Sequence, residues 1–363
     1  MKKAKWFIFL ASTLMLSACG NLENSGGQMT PEKTGTGEAV TTGQINSDSY
    51  QALMIEGQYK TSPARTMAAS RMNSNYNLNN YDKGLLELSK EQFATDKYFF
   101  EEGQFLTVNL LKEWLARESS ENKEGLNPSD GGKPVILQQI IEQNFMDKDS
   151  QKLAGISIGV ALNSVDYSGD AAVEISDEEI IDSGKKIVEK ILPRLRALEG
   201  VGDVPIIFGL FNQSREDDVA GGNYFASVVS KKGDKLADWQ AVDEEYIVLP
   251  VDEGVNNSAA EDGVNVKYKD FKQNIQGFFP NLSGFSGKAY YRNQQMQKIT
   301  IIIEAKYYHT SELQSFTQFV GNSVRSIFNV PGAVEVQINH LGVTSAVVMK
   351  PAGEAEVIAQ VFN

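Results

Sequence analysis

The sequence predicts an α+β fold: two tandem ββαββ-like units, each an antiparallel sheet with helices on one face, behind a leader and a disordered tether. Three observations predict it. Pairs of short, β-type apolar runs flank long segments of helical spacing, and that order occurs twice. Each of the two long helical segments opens on a Ser-x-x-Glu or Ser-x-x-Gln box, Ser176–Glu179 and Ser311–Gln314. Only one cysteine stands in 363 residues, so an apolar core holds the body together without a disulfide, which a chain of this size can do.

The boundaries follow from composition. Residues 1–18 are a signal peptide: Lys2, Lys3 and Lys5 are cationic, Trp6 to Leu16 are apolar, and Ser17 and Ala18 are small. That apolar run is shorter than the roughly 20 residues a spanning helix needs. Residues 19–49 are a disordered tether, rich in Gly, Ser, Thr and Asn and too poor in apolar groups to offset chain entropy. At ~5–6 Å × √n it holds the body some tens of Å from its anchor. Residues 50–233 and 234–363 are an N-terminal and a C-terminal α+β domain.

In order, Tyr50–Tyr59 has strand character, Asn73–Asp82 reads as an Asn- and Tyr-rich loop, and Thr107–Arg117 is a helix. Val135–Phe145 and Gly155–Asn163 form a hairpin. The helix opening at Ser176 carries Ile180, Ile187, Val188 and Ile191 on one face, and Pro193 is expected to kink or end it. Val204–Phe211 and Tyr224–Val229 close the first unit. Trp239–Val251 carries a strand ending at Pro250, Asp252–Gly263 is an acidic loop, and Lys267–Phe279 is a helix stopped by Pro280. The second unit is a hairpin of Gly287–Asn293 with Lys298–Tyr308, a helix through Leu313, Phe316, Val320 and Val324, and strands Val334–Leu341 and Ser345–Met349.

The chemistry is sparse. With only two histidines, His309 and His340, and no HExxH, CxxC or phosphate loop, no cofactor or metal is implied. In Gly131-Gly-Lys-Pro134 a proline stands where a Walker motif needs Ser or Thr. Gly155-Ile-Ser-Ile-Gly159 matches GxSxG, but Val160-Ala-Leu-Asn163 continues the β pattern where a nucleophile elbow turns into a helix. The small residues Ser157, Gly159 and Ala161 therefore read as a strand face packed on the helix that follows. The acidic stretch Asp252–Asp262 lacks EF-hand spacing, and Glu216-Asp-Asp218 reads as a surface turn. Arg65, Arg71 and Arg292 are candidate anion contacts, with a surface role favoured for each. The net charge of −13 becomes −16 once the three leader lysines are removed, which argues against nucleic acid as a partner.

Leu16-Ser-Ala-Cys19 looks like a lipobox. Together with AGISIGVALN (Ala154–Asn163), FFPNLSG (Phe278–Gly284) and PGAVEVQINHLG (Pro331–Gly342), the chain resembles the CamS family of Gram-positive sex-pheromone precursor lipoproteins. The resemblance implies cleavage by signal peptidase II between Ala18 and Cys19. It also implies a diacylglyceryl anchor on Cys19, with palmitate-type chains, that holds the protein on the extracellular face of the cell membrane. It further implies that a membrane protease trims the remnant to the candidate peptide Ser12, Thr13, Leu14, Met15, Leu16, Ser17 and Ala18. That peptide would signal for conjugation through a receptor in recipient cells. Phe7-Ile-Phe-Leu-Ala-Ser12 has the composition of the family's active peptides but ends at Ser12 rather than at the cleavage site. The body is expected to be a non-enzymatic binding or envelope module. The alternatives are a solute-binding lipoprotein of a transporter and a surface serine hydrolase using Ser157.

Overall fold

In the computed structural model, residues 32–33, 39–41, 47–55, 58–129, 131–279, 282–307 and 309–362 are described. The N-terminal part carries short strands β1 (Glu32–Lys33), β2 (Ala39–Thr41), β3 (Gln51–Ile55) and β4 (Gln58–Tyr59), then helices α1 (Arg65–Arg71) and α2 (Asn75–Ser89). Strand β5 (Tyr98–Glu102), α3 (Val108–Leu115), β6 (Leu137–Asp147) and β7 (Leu153–Asn163) follow. A small ladder of β8 (Val165–Asp166) and β9 (Val173–Glu174) leads to α4 (Asp177–Arg196), β10 (Ile206–Gln213), β11 (Asn223–Ser230) and β12 (Gln240–Ala241). The C-terminal part is β13 (Glu244–Leu249), α5 (Ser258–Glu261), α6 (Val264–Phe278), β14 (Leu282–Arg292), β15 (Gln295–Ala305), α7 (Thr310–Ile327), β16 (Ala333–His340), β17 (Val343–Lys350) and β18 (Ile358–Val361). Strands β1 and β2 fall inside the stretch expected to be tether; the rest of residues 20–46 lies outside the described residues.

The α+β class and the tandem units are present. The first sheet runs β1-β2-β3-β5-β6-β7-β10-β11-β12 and the second runs β13 to β18 in order. In each unit the central pair, β7 with β10 and β15 with β16, is parallel and the strands flanking it pair antiparallel; in the first sheet the outer β3 also pairs in parallel with β5. The long helices α4 and α7 make this possible, since a parallel pair needs a crossover connection. The repeat is longer than the sequence pattern indicated. Strand β5 pairs with β6 as β13 pairs with β14, and β12 closes β11 as β18 closes β17. Even the irregularities recur: the β6 register shifts at Leu137/Gln139 and Phe145/Met146, and the β14 register at Leu282/Gly284 and Tyr290/Tyr291. These are the same positions in two 11-residue strands.

Each part has its own core. In the first, Ile156, Ile158, Val160 and Leu162 of β7 pack under Ile180, Ile187, Val188 and Ile191 of α4. In the second, Ile299, Ile301 and Ile303 of β15 pack under Phe271 and Ile275 of α6 and Phe316, Val320 and Val324 of α7. Burying each such side chain stabilises the fold by about 1.5–3 kcal/mol.

Four local expectations are corrected. Asn73–Asp82 is not a loop. Ser74 accepts a hydrogen bond from Asn77 N at 3.1 Å and starts α2, whose Tyr81, Leu85 and Leu88 cover the sheet face opposite α4. The small face of β7 accordingly packs on α2, which precedes it, and not on the helix that follows. A side chain built on Gly159 would meet Tyr224 Oη and Tyr81 Cε2, each at 2.8 Å. Helix α4 runs through Pro193 to Arg196, because Pro193 and Glu189 lie on the exposed side, where the carbonyl left without a donor meets water. Helix α7 starts at Thr310 with His309 as its N-cap and no capping side-chain bond, so Ser311 sits in the first turn and not at the cap. The Ser176 cap is as expected, its side chain accepting from Glu179 N at 3.3 Å.

Candidate ligand-binding site

Cys19, Ala18 and the rest of Ser12–Ala18 lie outside the described residues. Ser157 has no exposed surface, and its hydroxyl lies 2.7 Å from that of Ser89 in the middle of the sheet, so its GxSxG is a strand and offers no nucleophile. His340 Nδ1 lies 3.1 Å from the Ala305 carbonyl in the other half of the fold, and its ring packs on Tyr307. Among the described residues no three His, Cys, Asp or Glu side chains are placed to hold a metal ion. Arg71 donates through Nε to the Gln138 carbonyl at 3.1 Å. Arg292 pairs at 2.6 Å with Glu91, just beyond α2, and a fifth of the arginine side chain is exposed. Both are tied into the fold rather than surface anion contacts. Arg65 is different: it stands at the mouth of a cavity.

The cavity arises from unequal strand lengths. Strand β5 pairs with β6 only from Asp147 back to Gln143, and the chain then leaves at Gly103. Strand β6 runs on to Leu137, so a gap of about 380 Å³ opens beside Ile140 and Ile141, between α2 on one face and α3 on the other. Its walls are apolar: Leu78 from α2, Phe100 from β5, Leu106, Leu111 from α3, Ile140 and Ile141. Tyr59, Ser62, Arg65, Asp82 and Glu102 bring polar groups to it, and Glu142 and Gln143 line its floor.

Glu142 is spoken for. Its carboxylate accepts the successive amides of Gln104 at 2.9 Å, Phe105 at 3.0 Å and Leu106 at 2.7 Å, a concave nest of N–H groups. Gly103 permits that approach, since a Cβ there would fall 2.4 Å from Glu142 Cβ. Burial raises the Glu142 pKa, and the three amides oppose the rise. Glu102 accepts from Ser62 N at 2.7 Å and stands 3.9 Å from Arg65. Asp82, on the exposed rim, makes no ion pair among the described residues. The low polarity around its carboxyl raises its pKa, and Glu102 adds to the rise, while a hydrogen bond with the Gln143 side chain opposes it. Burial and Glu102 together push the Tyr59 hydroxyl up to about 12. Gln143 is only 4% exposed; its Nε2 donates to the Asp82 carbonyl at 3.2 Å, and its Oε1 accepts from nothing.

The arrangement can bind but carries no pair of nucleophile and base. Sequence reasoning missed it. The signal was present in β6, where Gln138, Gln139, Glu142, Gln143 and Asn144 interrupt a strand covered on both faces. Buried polar groups are costly unless hydrogen-bonded, so such a run marks either a network or a site.

Residues 59–356 match the family model described as CamS sex pheromone cAM373 precursor. The crystal structure of a sex pheromone precursor from Lactobacillus salivarius subsp. salivarius UCC118 is similar at TM-score 0.83 and 34% identity, covering 90% of this chain and 99% of that one. The C-terminal domain of the sex pheromone staph-cAM373 precursor from Staphylococcus aureus is similar at TM-score 0.69 and 27% identity, covering 82% of this chain and 99% of that one. No curated protein matched.

Proposed function

The chain belongs to the CamS sex pheromone precursor family, and from that premise we propose that it is a lipid-anchored surface protein whose leader yields a secreted peptide and whose body is a non-enzymatic binding module. The observation that carries the proposal is the placement of the family match: it covers the folded body and leaves Ser12–Ala18 and Cys19 ahead of it. Three features support the separate parts. Leu16-Ser-Ala-Cys19 supplies a lipidation site directly after a short apolar run. A diacylglyceryl group on that cysteine brings two acyl chains, which hold stably where one does not; among the described residues no helix is long and apolar enough to cross a membrane. The cavity beside β6 gives the body a place to bind, with Ser157 buried away from any substrate. Signal peptidase II and a membrane protease are the processing partners, and a receptor in recipient cells is the partner of the peptide.

Cys19→Ala tests the proposal. In producing cells the variant should lose membrane attachment of a processed protein, and medium from those cells should lose its effect on recipients. Processed, membrane-bound Cys19→Ala protein together with undiminished recipient response would refute it.

A further inference from the structure

We infer that the cavity beside β6 binds the free amino terminus of an apolar peptide, with the ammonium group at Asp82 and Gln143 and the first side chains against Leu78 and Leu111. The inference rests on the reading of the body as a binding module and names its ligand.

Elimination among the acceptors leads to it. The Glu142 carboxylate is taken up by three backbone amides, and Glu102 by Ser62 N and Arg65. What remains is an amide oxygen and the Asp82 carboxylate, whose hydrogen bond from the Gln143 side chain leaves lone pairs open to a further donor. Asp82 has no ion pair among the described residues, and Gln143 is 4% exposed with an Oε1 that accepts no hydrogen bond. A buried acceptor left without a donor is uncommon, and it points to a donor that arrives with a ligand. An ammonium group has three donors and one positive charge, so it can serve both acceptors at once. A carboxylate or phosphate would be repelled by Asp82 and would offer the Gln143 oxygen no donor.

The rest of the cavity sets the body of the ligand. Its walls are aliphatic, and its volume of about 380 Å³ lies at the small end of the ligand-site range of roughly 300–1,000 Å³. That suits two or three residues rather than a whole heptapeptide. Asp82 is on the exposed rim, so the remainder of a peptide can leave toward solvent. Two sources offer such an end: this chain's own Ser12–Ala18, and apolar peptides from the surroundings.

The experiment is titration calorimetry of the detergent-extracted mature protein with three probes. They are synthetic Ser12–Ala18, the same peptide N-acetylated, and an unrelated apolar heptapeptide with a free amine. Free-amine peptide should bind one to one, and acetylation should weaken binding by about tenfold or more, the loss expected when a charged hydrogen-bond donor is removed. Asp82→Asn should do the same, and Leu78→Trp, which fills the cavity, should abolish binding; both positions are at least partly exposed, so both variants should fold. Binding of Ser12–Ala18 alone assigns the site to the chain's own peptide, and binding of the unrelated peptide assigns it to peptides from outside. Equal binding of the acetylated form, wild-type binding by Leu78→Trp, or no heat from either free-amine peptide at millimolar concentration overturns the inference. Heat is read whether or not cells release a peptide, so this failure is distinct from failure of the processing proposal.

Discussion

Asn77 and Ser214 are joined by three hydrogen bonds: Asn77 Oδ1 accepts from Ser214 N at 3.0 Å and from Ser214 Oγ at 3.2 Å, while its Nδ2 donates to the Ser214 carbonyl at 3.1 Å. The same Oδ1 accepts from Gly222 N at 2.7 Å, and Asn80 donates to the carbonyls of Ala220 and Gly222. Helix α2 is thus lashed to the loop between β10 and β11 by its own asparagines. Asn77→Ala should destabilise the protein by about 2–4 kcal/mol, because it leaves buried Gly222 N–H and Ser214 groups without partners. A fall in the urea midpoint at constant m checks it.

Tyr224 lies in a slot bounded by Gly84, Gly159 and Gly209, each of which would place a Cβ within 2.8 Å of its ring or hydroxyl. A bulge at Leu210/Phe211 turns Tyr224 toward α2 while Ala226 faces α4, and its hydroxyl donates to the Tyr81 carbonyl at 2.8 Å. Gly159→Ala should cost about 1–3 kcal/mol by overpacking. Ser157→Ala, two residues earlier in the same strand, should cost less, since the Ser89 hydroxyl keeps its bond to the Leu85 carbonyl at 2.6 Å. Thermal unfolding of the two variants side by side gives the order.

Where the two parts meet, Glu244 is buried beside Tyr290, whose hydroxyl donates to it at 3.1 Å, and Lys288 lies over the rings of Tyr76 and Tyr246. Burial raises the Glu244 pKa, with Tyr290 and Arg292 opposing. The folded state therefore holds this proton at a pH where the unfolded chain has lost it. Stability from this group is present below the ordinary glutamate range and is lost as pH rises through the raised value. Glu244→Gln removes that loss, so its stability relative to the parent should improve between pH 4 and pH 8. Urea unfolding at both pH values would count against the assignment if the difference did not change.

The second core is drawn wholly from Ile247 to Val361, and the first from residues before Glu244. Residues 243–363 expressed alone should therefore unfold cooperatively in urea, at a lower midpoint than the whole protein because Lys288 and Arg292 lose Tyr76 and Glu91. A fragment with no cooperative transition would contradict two separable units.

The units were legible because alternating strands and capped amphipathic helices declare themselves locally, as β7 and α4 do. The parallel central pairing was not, since it depends on where a crossover lands. Helix α2 was hidden by Asn75, Asn77, Asn79 and Asn80, residues of low helix propensity, two of which, Asn77 and Asn80, tertiary hydrogen bonds hold in place. The cavity was hidden because it is made by the early end of β5, a feature of pairing rather than of composition. Arg65 was singled out in the sequence, but its neighbours Asp82, Glu102 and Gln143 come together only in the fold.

The most direct measurement is mass spectrometry of the membrane-extracted protein together with the culture medium. The mature chain should begin at a lipidated Cys19, and the medium should hold a peptide ending at Ala18. A mature chain that keeps its leader or carries no lipid at Cys19, with no such peptide released, would contradict the proposed processing.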